Sequence, residues 1–461
     1  MVLRRFAALS IVLALVAAAC GDDSGDDLTD TPATSTTESG DATTSTTSGP
    51  DPTDTEPALL TASWPGVTED TIRVGFLDVD YAELSSLGLF ESKNGDSRVV
   101  IEALVDDLNA RGGILGREVE AFIEIYVPIN PIDADAACVR LTEDVDVFAV
   151  LGAFVGPPES SDGCFTEQGM TIKIGGTPSP EDLERANAPW YVTGFRDDRS
   201  LPATIGLLDE AGLLVEPIAV VWAAEDQDAA ETVVLPELER LGHDVAVKAT
   251  MISPVGDRLA LDAEWATLIE RFRADGIETA LLVGSSVALN GSNQLKRQGW
   301  DGQILLASYA GINTLGGTEE VPPEALAGII GTKGATSEEA WALDATQDCV
   351  AVLEAAIPDI TVVPATEVGE GETDWATPLS THCTTLRLFE LIATAAGADL
   401  THTSFVAGAE SLGEIELPNI PLASLGPGKI DATDGMRLST FDPTIGEQGW
   451  GDATGELERV P

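Results

Sequence analysis

The sequence predicts an α/β protein built as two Rossmann-like lobes, each a parallel sheet covered by helices. Three observations predict it. Short apolar runs alternate with amphipathic stretches from Thr71 onward, the pattern of parallel strands buried between helices. The runs are too many for one sheet of ordinary size, and 461 residues exceed a typical single domain. The alternation also repeats, with a second series opening at Pro217.

The folded part has a leader. Arg4 and Arg5 precede fourteen almost wholly apolar residues, Phe6 to Ala19. A helix needs about 20 apolar residues to cross a bilayer, so residues 1–20 read as an export signal rather than a permanent anchor. The run ends in Val16-Ala17-Ala18-Ala19-Cys20-Gly21, which resembles a bacterial lipobox. That resemblance assigns Cys20 to lipidation and the mature protein to the outer face of the cytoplasmic membrane. Ala17 stands where leucine is preferred, and a plain secretory signal cut near Ala19 is the alternative. Residues 21 to 60 hold Asp, Glu, Ser, Thr, Gly and Pro, with scarcely a large apolar group before Leu59. Such a segment cannot bury enough surface to offset its ordering entropy, so residues 21–66 are expected to be a disordered tether. As a coil it would reach about 35–40 Å.

Charge narrows the partners. The net charge is −54, and without the ten acids of the tether and the two signal arginines 68 acidic residues still face 22 basic ones. Nucleic acid and anionic lipid are disfavoured as partners, so membrane contact is expected through the lipid alone. Only six lysines stand beside this many acids, as in proteins adapted to salt. With Cys20 assigned, Cys138, Cys164, Cys349 and Cys383 remain, an even number that outside the cytosol suggests two disulfides. Three connectivities are possible; the sequence-local one pairs Cys138 with Cys164 and Cys349 with Cys383. His243, His382 and His402 are scattered, and no Cys/His spacing supports a metal.

The elements follow in order. Ile72 to Leu77 is a buried strand ending in Asp78, and Val100, Leu104 and Leu108 mark a helix stripe that Gly112-Gly113 stops. Glu118–Tyr126 is a strand, 134–144 a helix, 147–152 and 171–174 strands. In the second series, strands are expected at 217–222, 244–250, 280–284 and 304–307, and helices at 229–241, 265–274 and 293–298. Ligands of open α/β sheets sit outside the carboxyl ends of the strands, so the loops after Asp78, Gly152, Ile174, Trp222, Gly284 and Ala307 should surround one cleft. None carries a phosphate-cradling glycine pattern or a nucleophile elbow, so no cofactor is expected and enzymatic activity is a minor alternative.

Candidate ligand-binding residues are Asp78, Asp80 and Tyr81 after the first strand, Phe154 after the third, and Trp222, Glu225, Asp226 and Gln227 after the first strand of the second series. Ser285, Ser286 and Tyr309 occupy comparable edges. Aromatic faces beside carboxylates suit a polar organic or cationic ligand. Trp222 and Phe154 read equally as core, the acids as solvated surface, and the two serines as helix caps.

Leu108-Asn109-Ala110-Arg111-Gly112-Gly113-Ile114-Leu115-Gly116-Arg117 resembles a segment of the leucine/isoleucine/valine-binding family, type I periplasmic-type substrate-binding proteins of ABC transporters. The likeness continues in order through 147–152, Pro178 to Leu183, Gly194-Phe195-Arg196 and Phe441-Asp442-Pro443. It implies two lobes joined by three crossings at a hinge, with residues 67–196 and 311–434 in lobe one and 197–310 and 435–461 in lobe two. It also implies a monomer that closes on a solute and presents it to a membrane permease. A ligand sensor and, less readily, a hydrolase are the other readings. Ser179 matches the hydroxyl with which family members hold a ligand carboxylate. Gln227 and Leu289 stand where an aromatic and an acid would hold its ammonium. Leucine cannot pair with a buried ammonium, so branched-chain amino acids are not the expected ligands.

Overall fold

The computed structural model describes residues 59–86, 93–128, 131–155, 161–253, 257–316, 321–369, 371–445 and 449–460. The signal sequence, Cys20 and residues 21–58 lie outside the described residues. The first sheet contains β1 (Thr71–Val79), β2 (Glu118–Tyr126), β3 (Ala149–Leu151), β4 (Ile172–Ile174) and β5 (Trp190–Tyr191). Its strands are all parallel, in the order β2-β1-β3-β4-β5. The central strands are covered on both faces, which is why they read as apolar runs. One face packs on Val100, Ile101, Leu104, Leu353, Leu388 and Phe389, the other on Leu141, Phe154 and Phe165.

The helix Ser97–Ala110 shows how local sequence places a strand end. Asp96 caps it through the Arg98 amide, and its stripe of Val100, Leu104 and Leu108 is buried. Gly113 then turns the chain back at φ +61, where a β-carbon would sit 2.0 Å from the carbonyl oxygen of Arg117, so only glycine fits.

The second sheet contains β6 (Ile218–Ala223), β7 (Val245–Met251), β8 (Thr279–Val283), β9 (Gln303–Tyr309), β10 (Ile330–Lys333), β13 (Gly435–Asp442) and β14 (Trp450–Arg459). Its order is β14-β13-β10-β9-β8-β6-β7, parallel except where β13 runs against β10 and β14 against β13. The intervening β11 (Gly413–Leu417) and β12 (Ile420–Leu425) form a separate hairpin packed on the first core. The helix expected at 293–298 begins eight residues earlier, at Ser285–Arg297.

The chain passes between the sheets after β5, after β10 and before β13. The expected second crossing at residue 311 is therefore displaced. Ile312, Leu315, Val321, Leu326 and Ile329 are buried in the second core, and β10 completes the second sheet, so 311–333 stays with that lobe. The expected tether is likewise shorter. Arg117, fully buried, donates to the carbonyls of Thr61, Thr68 and Ala398 at 2.8–2.9 Å, Ser63 donates to Leu400, and Trp64 lies 4.5 Å from the His402 ring. Residues from Thr61 onward are thus part of the folded lobe.

At the hinge the crossing strands are stitched together. The Val192 amide donates to Ile430 and the Ala432 amide to Val192. Arg199 reaches Asp431 at 2.6 Å, Asp434 at 3.3 Å and the carbonyl of Val460 at 3.1 Å. Lys429 and Arg459 also pair with Asp434. Cys138 is bonded to Cys164 and Cys349 to Cys383, with Cα atoms 6.5 and 6.4 Å apart.

Candidate functional site

The ends of the first sheet gather carboxylates and phenols. Asp78 is the penultimate residue of β1, and Nε2 of His382 lies 3.4 Å from its Oδ2. Burial alone would raise the Asp78 pKa, but the His382 ring, the Ser97 hydroxyl and the Val79 amide outweigh it and hold the group below its ordinary value. Tyr81, partly covered and close to the Asp78 charge, is pushed up. Asp80 accepts from the Glu83 amide at 2.8 Å and so starts the helix Tyr81–Ser86.

The loop after β3 is fixed by groups the sequence did not single out. The Tyr126 hydroxyl donates to the Ala153 carbonyl at 3.1 Å and accepts from the Val155 amide at 2.7 Å. Asp162 accepts from the Phe154 amide at 3.0 Å and from Lys173 Nζ at 2.8 Å. Lys173 is fully inaccessible, its ammonium 4.8 Å from the centre of the Phe165 ring. Burial raises the Asp162 pKa and lowers that of Lys173 in spite of their mutual attraction. The signal was present in the sequence: Lys173 stands between two isoleucines in a strand of three.

On the second lobe, Ser286 donates to Glu225 at 3.1 Å, and the Asp226 carboxylate presses on Gly284, where a β-carbon would come within 1.8 Å of it. Gly284 has φ +87 and itself caps the helix of Ser285 and Ser286; neither serine is the cap. Glu225, Ser286 and Asn290 share a cavity of about 200 Å³ with Met251, Leu261 and Trp265. A larger cavity, about 500 Å³, lies among the helices Ser97–Ala110, Asp344–Ala356 and Ala376–Ala396, away from the strand ends.

Several expected ligand contacts are engaged elsewhere. Phe154 is buried, stacked on Phe165 at 5.6 Å and edge-on to Tyr126 at 4.9 Å. Trp222 is core, packed with Leu281, Leu305 and Val234. Its Nε1 is buried without a hydrogen-bond partner. Tyr309 packs on Phe195 at 4.8 Å beside Gly334, at the hinge rather than at the cleft edge, and burial pushes its pKa up to about 12. The Ser179 hydroxyl donates to Asp182 at 2.7 Å in a capping box, and Gln227 bonds Glu231. The structure thus brings together Asp78 with Tyr81 on one lobe and Glu225 with Asp226, Ser285 and Ser286 on the other.

No protein-family model matches the chain, and no curated protein matches it in sequence. Solved structures do match. A solute binding protein of an ABC transporter from Rhodopseudomonas palustris BisB5, in complex with 3,4-dihydroxybenzoic acid, is 14% identical with a TM-score of 0.56, over 85% of this chain and 99% of that one. A leucine binding protein from Thermotoga maritima is 13% identical with a TM-score of 0.56, over 84% and 99%. A fatty acid ABC transporter substrate-binding protein from Thermomonospora curvata is 16% identical with a TM-score of 0.54, over 87% and 97%. This is the fold of the type I periplasmic solute-binding proteins. In that fold the two groups of residues assembled above stand at the carboxyl ends of the two sheets, where ligands of open α/β sheets bind. These solved relatives are binding proteins rather than enzymes.

Proposed function

We propose that the protein captures a small polar organic solute, amino-acid-like or an amide or cation, between its lobes and delivers it to an ABC importer. In this reading it is exported, held by lipid on Cys20 at the outer face of the cytoplasmic membrane, and works as a monomer. Lobe one comprises 61–196 and 334–434, lobe two 197–333 and 435–460. The observation that carries the reading is the hinge. Three crossings lie side by side between two sheets whose strand ends bear polar groups, so a solute touching both ends stabilises the closed arrangement by its differential affinity. Asp78 and Tyr81 supply contacts from one side, Glu225, Asp226, Ser285 and Ser286 from the other. Trp222, Phe154 and Tyr309 shape the walls from behind.

Calorimetric titration with amino acids, amides, polyamines and betaines, paired with small-angle scattering, tests this. A binding solute should reduce the radius of gyration and raise the melting temperature, by about 2.7 kcal/mol of added stability at a hundredfold excess over Kd. Binding with turnover of the solute and no compaction would sink the proposal.

A further inference from the structure

The three crossings meet at one side chain. Tyr309 ends β9, the middle strand of the second sheet, and pairs there with Thr332 of β10, two residues before the chain leaves that sheet. Its ring stands edge-on to Phe195 of the first crossing, with centres 4.8 Å apart. It packs on the cluster that Phe195 forms with Met436 and Val460, and Met436 lies just past the third crossing.

At the second crossing the ring meets Gly334. A β-carbon at that position would lie 2.4 Å from the Tyr309 hydroxyl oxygen, but 3.6 Å from the ring carbon that bears it and 3.6 Å from the Gly435 carbonyl oxygen. The backbone of Gly334 is not in the left-handed region, so its conformation does not call for glycine. What leaves no room for a side chain is a single oxygen atom on the other lobe. Among the described residues that hydroxyl makes no hydrogen bond, and burial alone acts on its pKa, so it bears on Gly334 by its bulk. Beside the contact lies a cavity of about 40 Å³, closed by Leu457 of β14 and by Ile420, Pro421 and Leu422 of the hairpin. Packed interiors move between discrete arrangements rather than deforming smoothly, and a gap next to the ring gives the crossings room to take up a second one.

We propose that Tyr309 is the bearing of the hinge, a positioning residue whose ring, seated on Phe195 and Gly334, sets the resting angle between the lobes without touching a solute. The use of that angle rests on the solute-capture reading: a resting state nearer the closed one raises the competent fraction, and with it the apparent affinity.

The test needs no solute. Nitroxides are attached to ketone-bearing residues introduced in place of the exposed Glu102 on the first lobe and Glu239 on the second, which leaves both disulfides intact. Pulsed electron paramagnetic resonance then gives the distribution of interlobe distances in the full chain. G334A should move the mean distance outside the range of repeated wild-type measurements. In Y309F/G334A the nearest atom of residue 309 is the ring carbon at 3.6 Å, an ordinary contact, and the wild-type mean should return. A folded G334A with an unchanged mean shows that the ring swings aside locally, and overturns the proposal. A shift that Y309F does not reverse shows that residue 334 acts through another neighbour, and overturns it too. Should circular dichroism find G334A unfolded, Y309L decides. Without the ring the distribution should broaden, and one as narrow as the wild type's, on the same mean, overturns the proposal. Because the chain is measured without solute, a failure of every solute to bind in the titrations above would sink solute capture alone and leave the bearing to be judged on these distances.

Discussion

Asp162 and Lys173 pair with each other beside the stacked rings of Phe154 and Phe165, under the first lobe's strand ends. Asp431 and Asp434 at the hinge are as deeply buried, yet Arg199, Lys429 and Arg459 share them. Both sites take carboxylates out of water, and both must supply cations to offset the desolvation. Among the described residues the pair has no second ion-pair partner. The hinge network has several, and Arg199 adds carbonyls of two further residues. A pair without alternatives fixes a loop in one position. A network with interchangeable partners keeps its charges compensated while segments around it shift, which suits a place where two lobes turn on each other.

The comparison breaks most visibly at Lys173. K173M leaves Asp162 buried and unpaired, and should cost about 3–5 kcal/mol of unfolding free energy in urea titrations. D162N/K173M should recover most of that, since the raised Asp162 pKa and the lowered Lys173 pKa say that burial is not fully repaid by the pairing. At the hinge, R199A should cost less, about 1.5–3 kcal/mol, the range for hydrogen bonds to charged groups, because Lys429 and Arg459 remain. Equal losses in the two variants would show that the network has no redundancy.

His402 supplies a third and smaller case, a half-buried ionisable group that answers by staying neutral. Burial lowers its pKa from 6.5 to about 4. Between those values the unfolded chain binds the proton and the folded one does not, so stability is full above about pH 6.5 and is lost as pH falls toward 4. The loss should amount to about 1–2 kcal/mol for a ring only partly covered. H402F, which keeps the packing on Trp64 and Phe148, should flatten that window in melting curves taken at successive pH values. An unaltered pH profile would mean that other groups set the acid response.

Much of the fold was legible because buried parallel strands announce themselves. β1, β6 and β8 are apolar runs bounded by turn residues, and the helix Ser97–Ala110 carries a clear stripe. The helix Ala376–Ala396 is not legible in the sequence, since two threonines, a histidine and a cysteine take buried positions in it and blur the stripe. β10 is four residues long and reads Ile-Gly-Thr-Lys, too short and polar to signal a strand, so the second crossing was placed too early. Side-chain direction at strand ends was also hidden. Phe154, Trp222 and Tyr309 sit near the cleft in sequence, but their packing on Phe165, Val234 and Phe195 turns them into core or hinge. The Asp162–Lys173 pair spans eleven residues and a loop, and only the sheet brings its ends together.

The buried Arg117 has a mechanical meaning. One guanidinium grips three separate segments through the carbonyls of Thr61, Thr68 and Ala398, all on the first lobe. Residues 61–68 are therefore held to that lobe through this clasp and not to the hinge segments. Closure of the kind proposed above would leave this clasp, and the segment it grips, unmoved.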